Sequence, residues 1–212
     1  MSIAQPAKPI RLYRHPLSGH AHRVELFLSL LGLPVELVNV DLKNAEHRQP
    51  EFLVKNPFGQ VPVIEDGAVT LSDSTAILVY LAIQYGEPSW LPRDAAGAAT
   101  VQRYLSLAAG EIAYGPALAR KINVFGLSLD RAGAEATAVQ LLSVLNEQLS
   151  AQQFLAGKSI TIADIAAYSY IAHAPEGGIS LDPYAHIQSW LKRIEAMPGF
   201  IPMQPSKVGL VR

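Results

Sequence analysis

Strand-like patterning fills the first third of the chain and then stops. Up to Leu71, short runs rich in branched residues lie between turn signals. From about residue 100 onward, apolar residues recur only at helical spacing. A chain divided in this way folds as an α/β unit followed by an all-α unit, because each kind of element buries its apolar face against different neighbours.

The stretch from Ile10 to Leu33 sets the register of the first unit. It reads as a strand, a turn containing proline and glycine, and a helix with Val24, Phe27, Leu28 and Leu31 on one face. Gly32 and Pro34 stop that helix. A second strand follows around Val35, Leu37 and Val38, which makes a right-handed βαβ unit with parallel strands. The polar segment NAEHRQPEFLVKNP reads as a short or broken helix, and Val61 to Glu65 as a strand. Asp66-Gly67 is a hairpin signal, with Ala68 to Leu71 pairing back. Asp73-Ser74 opens a helix whose inner face is Ile77, Leu78, Leu81 and Tyr85. Residues 86–94, GEPSWLPRD, read as a linker. Beyond it, Val101, Leu105, Ala108 and Ile112 mark one long helix, kinked or broken at Gly115-Pro116 and continued by Leu118, Ile122 and Phe125. Leu141, Leu142, Leu145 and Leu149 mark the next. Thr161 and Asp164 form a capping box at the start of another, with Ile160 stapling to Ile165, and Ile187, Trp190, Leu191 and Ile194 mark the last. The domain division expected is 10–85 and 93–205.

Composition excludes several functions. Lys and Arg number 17 against 18 Asp and Glu, so there is no basic excess for a nucleic-acid surface. The absence of cysteine excludes disulfides, thiolate metal sites and a catalytic cysteine, and suits a reducing compartment. The N-terminus has no secretory apolar region, and no apolar run is long enough to span a bilayer, so a soluble cytoplasmic protein is expected. His20 and His22 stand at i and i+2, which do not share a helix face, and no carboxylate is spaced to complete a metal site.

The candidate chemistry lies at helix starts. Ser18 stands where strand passes into helix, at the positive end of the helix dipole. It is either an N-cap or a donor to an anion such as a thiolate. Asp73-Ser74 is either a cap or a clamp for the ammonium and carboxylate of an α-amino acid group. Val61-Pro62 exposes backbone groups to a ligand if its peptide bond is cis. His47 is either a solvated surface residue or a residue folded over the ligand. Tyr104, Tyr114 and Lys121 lie along the long helix, as core stripe or as pocket.

Taken in order, IRLYRHPLSGHAHRV, NPFGQVPVIEDG, LSDSTAILVYLA and FLAGKSITIADIAA resemble the cytosolic glutathione transferases over about Ile10 to Phe200. The resemblance is nearest the serine-type (phi-, theta- and nu-like) classes, in which the catalytic serine stands five residues before an arginine, as Ser18 does before Arg23. It implies a thioredoxin-like domain with a mixed four-stranded sheet and an all-helical C-terminal domain. It implies an enzyme of detoxification with glutathione as co-substrate and no metal. The partner is an electrophile or peroxide, and the usual assembly is a homodimer. By position it makes Ser18 the thiolate stabiliser. His47, Gln60, Val61, the cis Pro62, Asp73 and Ser74 become the glutathione-binding residues. His15, Tyr104, Tyr114 and Lys121 line the electrophile pocket. Asp73 stands where Glu is commoner. Tyr13 is the alternative catalytic residue, by analogy with tyrosine-type transferases, and a non-catalytic interaction protein of the same fold is the alternative function.

Overall fold

The structure, a computed structural model, describes residues 5–207. The first elements are β1 (Ile10–Arg14), α1 (Gly19–Leu30), β2 (Val35–Asn39), a 3-10 turn at Glu46–Arg48, α2 (Pro50–Leu53), β3 (Val63–Asp66), β4 (Val69–Ser72) and α3 (Ser74–Gln84). They are followed by α4 (Ala95–Ala109), α5 (Glu111–Tyr114), α6 (Pro116–Phe125), α7 (Arg131–Ala151) and α8 (Ile162–Ala172). A 3-10 turn at Ala174–Gly177 and α9 (Ala185–Glu195) complete the order. No helix among the described residues is long and apolar enough to cross a membrane.

The sheet has the order β2-β1-β3-β4. β1 and β2 are parallel, and the other two pairs are antiparallel, which gives the mixed sheet expected. Tyr13 pairs with Val38 on one side and Val63 on the other, and Val63 pairs with Ser72. The ends of β1, β2 and β4 and the start of β3 therefore meet at one edge. The hairpin forms at Gly67-Ala68, where Gly67 takes φ +57°, a conformation available to glycine without steric cost. β3 starts two residues later than Val61, because Pro62 has no N–H to give a ladder. β4 runs one residue past Leu71, through Ser72.

α1 shows why amphipathicity alone understates burial. Val24, Phe27, Leu28 and Leu31 are buried as expected, but so are Ala21, His22, Arg23 and Leu26 on the other side. The helix packs on α3 at one flank and on α8 at another, so it lies within one continuous core joining sheet and helices. The linker takes part in this core. Trp90 stacks edge-on to Phe27 at 4.9 Å, and its carbonyl accepts from Ile162 N at 3.0 Å. The segment after α9 returns to α1. There, Ser29 Oγ donates to Gly199 O at 2.7 Å, and His22 Nε2 lies 3.0 Å from Ile201 O.

The long helix breaks twice. Besides the expected break at Gly115, Gly110 leaves helical geometry (φ −99°, ψ −102°), so Ile112 belongs to the short α5. In α6 the buried residues are Pro116, Ala117, Ala119 and Arg120, whereas Phe125 of the expected stripe is 48% exposed. The double break rotates α6 and turns its small residues inward. The capping box forms as the sequence indicates. Thr161 Oγ1 accepts from Ala163 N at 3.2 Å, and Asp164 Oδ2 accepts from Thr161 N at 2.9 Å. Asp164 Oδ1 also accepts from Leu155 N and Trp190 Nε1, so this buried carboxylate ties three segments together.

Candidate active site

The sheet register brings most of the candidate residues to one edge. β1 delivers the turn from His15 to Ser18, β3 begins after Val61-Pro62, and β4 ends just before Asp73-Ser74. β2 runs out at the same edge toward the segment that holds His47. The Val61-Pro62 peptide bond is cis.

Ser18 is the N-cap of α1. Its Oγ accepts from Ala21 N at 3.2 Å, and its own N–H donates to His15 O at 2.9 Å. Accepting uses lone pairs only, so the hydroxyl proton remains to be donated elsewhere. The turn itself is held from the helical side. Arg120 Nη1 donates to Leu17 O at 2.8 Å, and Tyr170 packs against Gly19. A Cβ on Gly19 would lie 2.7 Å from the Tyr170 ring, so only glycine allows the approach. Arg120 is fixed in turn by Glu176 at 2.7 Å, and Glu176 also accepts from Ser206 N and meets His173 Nδ1 at 3.2 Å. Burial alone would raise the Glu176 carboxyl, but the Ser206 N–H, Arg120 and His173 together hold it below the usual range.

Asp73 opens α3 in an unusual backbone conformation, φ +69° and ψ 120°. Its Oδ1 accepts from Thr75 N at 2.8 Å and Ala76 N at 2.9 Å, leaving Oδ2 outside the cap. Burial pushes its pKa upward, but these bonds, with the Thr75 hydroxyl, bring it below the usual carboxylate value. Capping and ligand binding are thus divided between its two oxygens. Ser74 is buried, and its Oγ accepts from Arg23 Nη1 at 3.2 Å with His20 Nδ1 at 3.4 Å. Burial, with Arg23 adding to it, lowers His20 to about 3, which favours the neutral ring near neutral pH.

The loop before β3 is held by a residue the motif reading did not single out. Asn56, 3% exposed, donates through Nδ2 to Gln60 O at 2.8 Å and accepts Phe58 N at Oδ1. That places exposed Gln60 and half-buried Val61 at the rim. His47 is half-buried, and its Nδ1 is buried without a hydrogen-bond partner.

The expected electrophile residues separate. His15 lies in the turn beside Ser18, with its pKa lowered by burial and then by Arg14. Lys121 is exposed on α6 and close enough to His20 to depress its pKa further. Tyr114 is 68% exposed on α5, with no contact to the Ser18 turn among its hydrogen bonds. Tyr104 departs from expectation. It is buried, and its hydroxyl donates to Gln148 of α7 at 3.0 Å while Arg103 lies over its ring. Its side of α4 faces α7 rather than the edge where Ser18 lies. Tyr13, the alternative catalytic residue, stands on β1 at the same sheet edge, but its side chain is engaged with other partners. It packs against Val40, Phe52 and Val63, and its hydroxyl donates to Glu65 at 2.9 Å. Burial and that bond raise its pKa, which keeps the hydroxyl neutral, and its proton is given to Glu65.

Arg23, His20, Asn56, Arg120 and Tyr170 are the residues that sequence reasoning did not assign to the site. Only Arg23 carried a signal, its spacing from Ser18. No group of three or more His, Cys, Asp or Glu among the described residues could hold a metal ion.

Comparison with known proteins agrees with this architecture. Residues 8–83 match the family described as "Glutathione S-transferase, N-terminal domain", and residues 131–198 match "Glutathione S-transferase, C-terminal domain". Glutathione S-transferase 3 of Zea mays is 33% identical, covering 93% of this chain and 96% of its own. Glutathione S-transferase 2 of Anopheles gambiae is 32% identical, covering 88% and 91%. Among solved structures, a glutathione S-transferase from Pseudomonas fluorescens superposes with a TM-score of 0.87 at 31% identity, over 92% of this chain and 99% of that one. A glutathione transferase homolog from Lodderomyces elongisporus, solved with two GSH per subunit, gives 0.81 at 25% identity over 91% and 95%.

Proposed function

The chain belongs to the glutathione S-transferase family, and from that premise we propose that it holds glutathione at the shared sheet edge as a thiolate stabilised by Ser18. The observation that carries the proposal is the Tyr13–Val63–Ser72 register, which brings Ser18, Val61-Pro62 and Asp73-Ser74 to one place. Asp73 Oδ2 takes the γ-glutamyl ammonium, and Ser74 takes its carboxylate. The backbone of Val61 pairs with the cysteinyl residue, and Gln60 and His47 reach the glycine end. The sulfur then forms a bond to the electrophilic atom while the leaving group departs with its electron pair. Alternatively, it attacks a peroxide oxygen, the O–O bond breaks, and the alkoxide leaves and takes up a proton; a second glutathione thiol then displaces water from the resulting sulfenic acid to give the disulfide. His15 and Lys121, at the rim, are the residues best placed to meet the second substrate. The domain division is 10–85 and 93–205, and a detoxifying role in the cytoplasm is part of the same reading.

Ser18 acts as a donor and not as a base, since no base lies in hydrogen-bond contact with its hydroxyl. Donation to the charged form lowers a thiol pKa from its free value near ~8.5. Ser18→Ala should keep glutathione affinity near wild type and raise the bound thiol's pKa. The rate at neutral pH should fall about tenfold or more, the equivalent of ~1.4 kcal/mol, and return at alkaline pH. Ultraviolet thiolate absorbance of the complex against pH, together with turnover of an aryl halide, tests this. Superimposable titrations would remove Ser18 from the mechanism, and absence of binding and turnover in the wild type would favour the interaction-protein alternative.

A homodimer is the assembly best supported. Val54 and Phe58, on the loop before β3, are 87% and 76% exposed. A groove between α4 and α7, lined by Tyr104, Leu107, Leu141, Val144 and Leu145, offers an apolar recess. A two-fold pairing that seats Phe58 of each copy in the groove of the other would bury both reciprocally. Sedimentation of Phe58→Lys as a monomer, against a wild-type dimer, is the expected outcome.

A further inference from the structure

Tyr170 brings a hydroxyl from α8 to the first residue of α1, and nothing in the chain takes its proton. The side chain is 8% exposed. A Cβ on Gly19 would meet its Cζ first, at 2.7 Å, then Cε1 at 2.8 Å and Cε2 at 3.0 Å. Cζ carries the hydroxyl, so the polar end of the ring abuts the helix start. Tyr13, Tyr80, Tyr85, Tyr104 and Tyr168 each give their proton to a side-chain oxygen, whereas Tyr170 gives its own to no acceptor among the described residues.

The groups around this hydroxyl are donors and cations. Burial raises the phenol, and Arg23, Arg120 and the N–H groups of His20 and Gly19 oppose it, because each favours negative charge at that oxygen. The Arg23 guanidinium lies 5.7 Å from the ring centroid, and the His20 ring meets it edge-on at 4.9 Å. The carbonyls of the turn are already engaged. Leu17 O accepts from Arg120, and Ser18 O accepts from His22 N at 2.9 Å. A phenol hydroxyl can accept and donate at once. It can therefore accept from the helix start and still hold a proton, and a buried donor left unmet is costly. Ser18 is in the same position, since its Oγ accepts from Ala21 N and keeps its proton. Two hydroxyls, one from each domain, thus meet at one helix start, where the dipole also favours an anion.

We infer that the Tyr170 hydroxyl is a second hydrogen-bond donor to the glutathione sulfur, brought by α8 to the start of α1 beside Ser18. This rests on the proposed glutathione reading, which puts the sulfur at that helix start. It makes the nucleophile a joint product of the two domains, so that loss of Ser18 leaves part of the activation in place.

The test follows the ultraviolet thiolate absorbance of bound glutathione against pH, with the S-methylglutathione complex as baseline. Tyr170→Phe removes one oxygen and keeps the ring. It should raise the titration midpoint by about one unit, with affinity for S-methylglutathione within about twofold of wild type. The double variant Ser18→Ala, Tyr170→Phe should shift further than either single one. A merely structural role would alter melting or affinity and leave the midpoint alone, so an unchanged midpoint in Tyr170→Phe overturns the inference. A lowered midpoint overturns it too, because the hydroxyl would then be occupying N–H groups that the sulfur could use. Should Tyr170→Phe lack a cooperative melt, 3-fluorotyrosine placed at position 170, a stronger donor, should lower the midpoint, and an unchanged one overturns the inference instead. Wild type that binds no glutathione refutes the glutathione reading as well, whereas a wild-type thiolate that depends on Ser18 and not on Tyr170 refutes this inference alone.

Discussion

The junction between α6 and the Ala174–Gly177 turn and the junction between α1 and α3 each bury an arginine, and they treat it in opposite ways. Arg120, 2% exposed, meets Glu176, 0% exposed, at 2.7 Å, and its other arm reaches Leu17 O. Arg23, 0% exposed, meets only a serine. In the first junction the countercharge is part of the chain, so the pair is complete whether or not anything is bound. In the second no carboxylate among the described residues completes the pair. The contrast separates a paired charge that supports the Ser18 turn from an unpaired one beside Ser74, although both look alike by burial.

The strongest way to break this comparison is to remove the internal partner. Glu176→Gln leaves Arg120 buried without its carboxylate and should cost about 3–5 kcal/mol in denaturant unfolding. Replacing Arg120 by Met in the same chain should recover most of that loss. A cost below ~1 kcal/mol would show that Arg120 needs its partner no more than Arg23 does.

Acid should act next, beside Arg23. His22 is 4% exposed, and burial lowers its pKa to about 4 despite the Ile201 carbonyl it donates to. An unfolded chain titrates this ring near ~6.5. Between those values the unfolded chain binds a proton that the folded chain refuses. Stability is therefore complete above about pH 6.5 and falls as pH drops toward 4, by roughly 3 kcal/mol for this one ring. Unfolding midpoints across that range should show the slope, and His22→Gln should remove about one proton's worth of it. A slope unchanged in the variant would assign acid sensitivity to His20, lowered to about 3 on the same side, or to His173 on the Arg120 side, which burial also holds below its ordinary value.

Smaller effects sharpen the contrast. Thr161→Ala removes a cap remote from both arginines and should cost roughly 0.5–2 kcal/mol, with glutathione affinity unchanged. A large affinity change by calorimetry would mean that α8 couples to the site more tightly than its contact through Tyr170 implies. Arg23→Met should leave the unfolding free energy unchanged or raise it, by up to roughly 3 kcal/mol, since an apolar chain of similar length takes the place of an unpaired buried ion. A loss larger than that of Glu176→Gln would reverse the comparison.

What was legible in the sequence was local. The Asp66-Gly67 turn, the α1 stripe and the Thr161–Asp164 box each depend on residues within one turn of each other, and each formed. The order of motifs carried the fold. The features that escaped join distant segments: Arg23 to Ser74 across 51 positions, His20 to Ser74 across 54, and Arg120 to Leu17 across 103. Periodicity carries no information about such pairs. Gly110 escaped for another reason. A lone glycine in a helical pattern is tolerated more often than it breaks one. For Tyr104 the choice between core stripe and pocket stayed open, because a helical stripe does not tell which neighbour it faces; its hydroxyl bonds to Gln148 of α7.

The return of the segment after α9 to α1 has a consequence for biosynthesis. His22 and Ile201 are 179 positions apart, and Ser29 and Gly199 are 170 apart. At typical synthesis rates of about 5–20 residues per second, roughly 10–40 s separate translation of α1 from translation of its last two partners. During that interval the helix carrying Ser18 and Arg23 is synthesised but unstitched, and so is the face of α1 that α8 will cover. A nascent chain halted before α8 should thus present this face to chaperones, and one released beyond Ile201 should not.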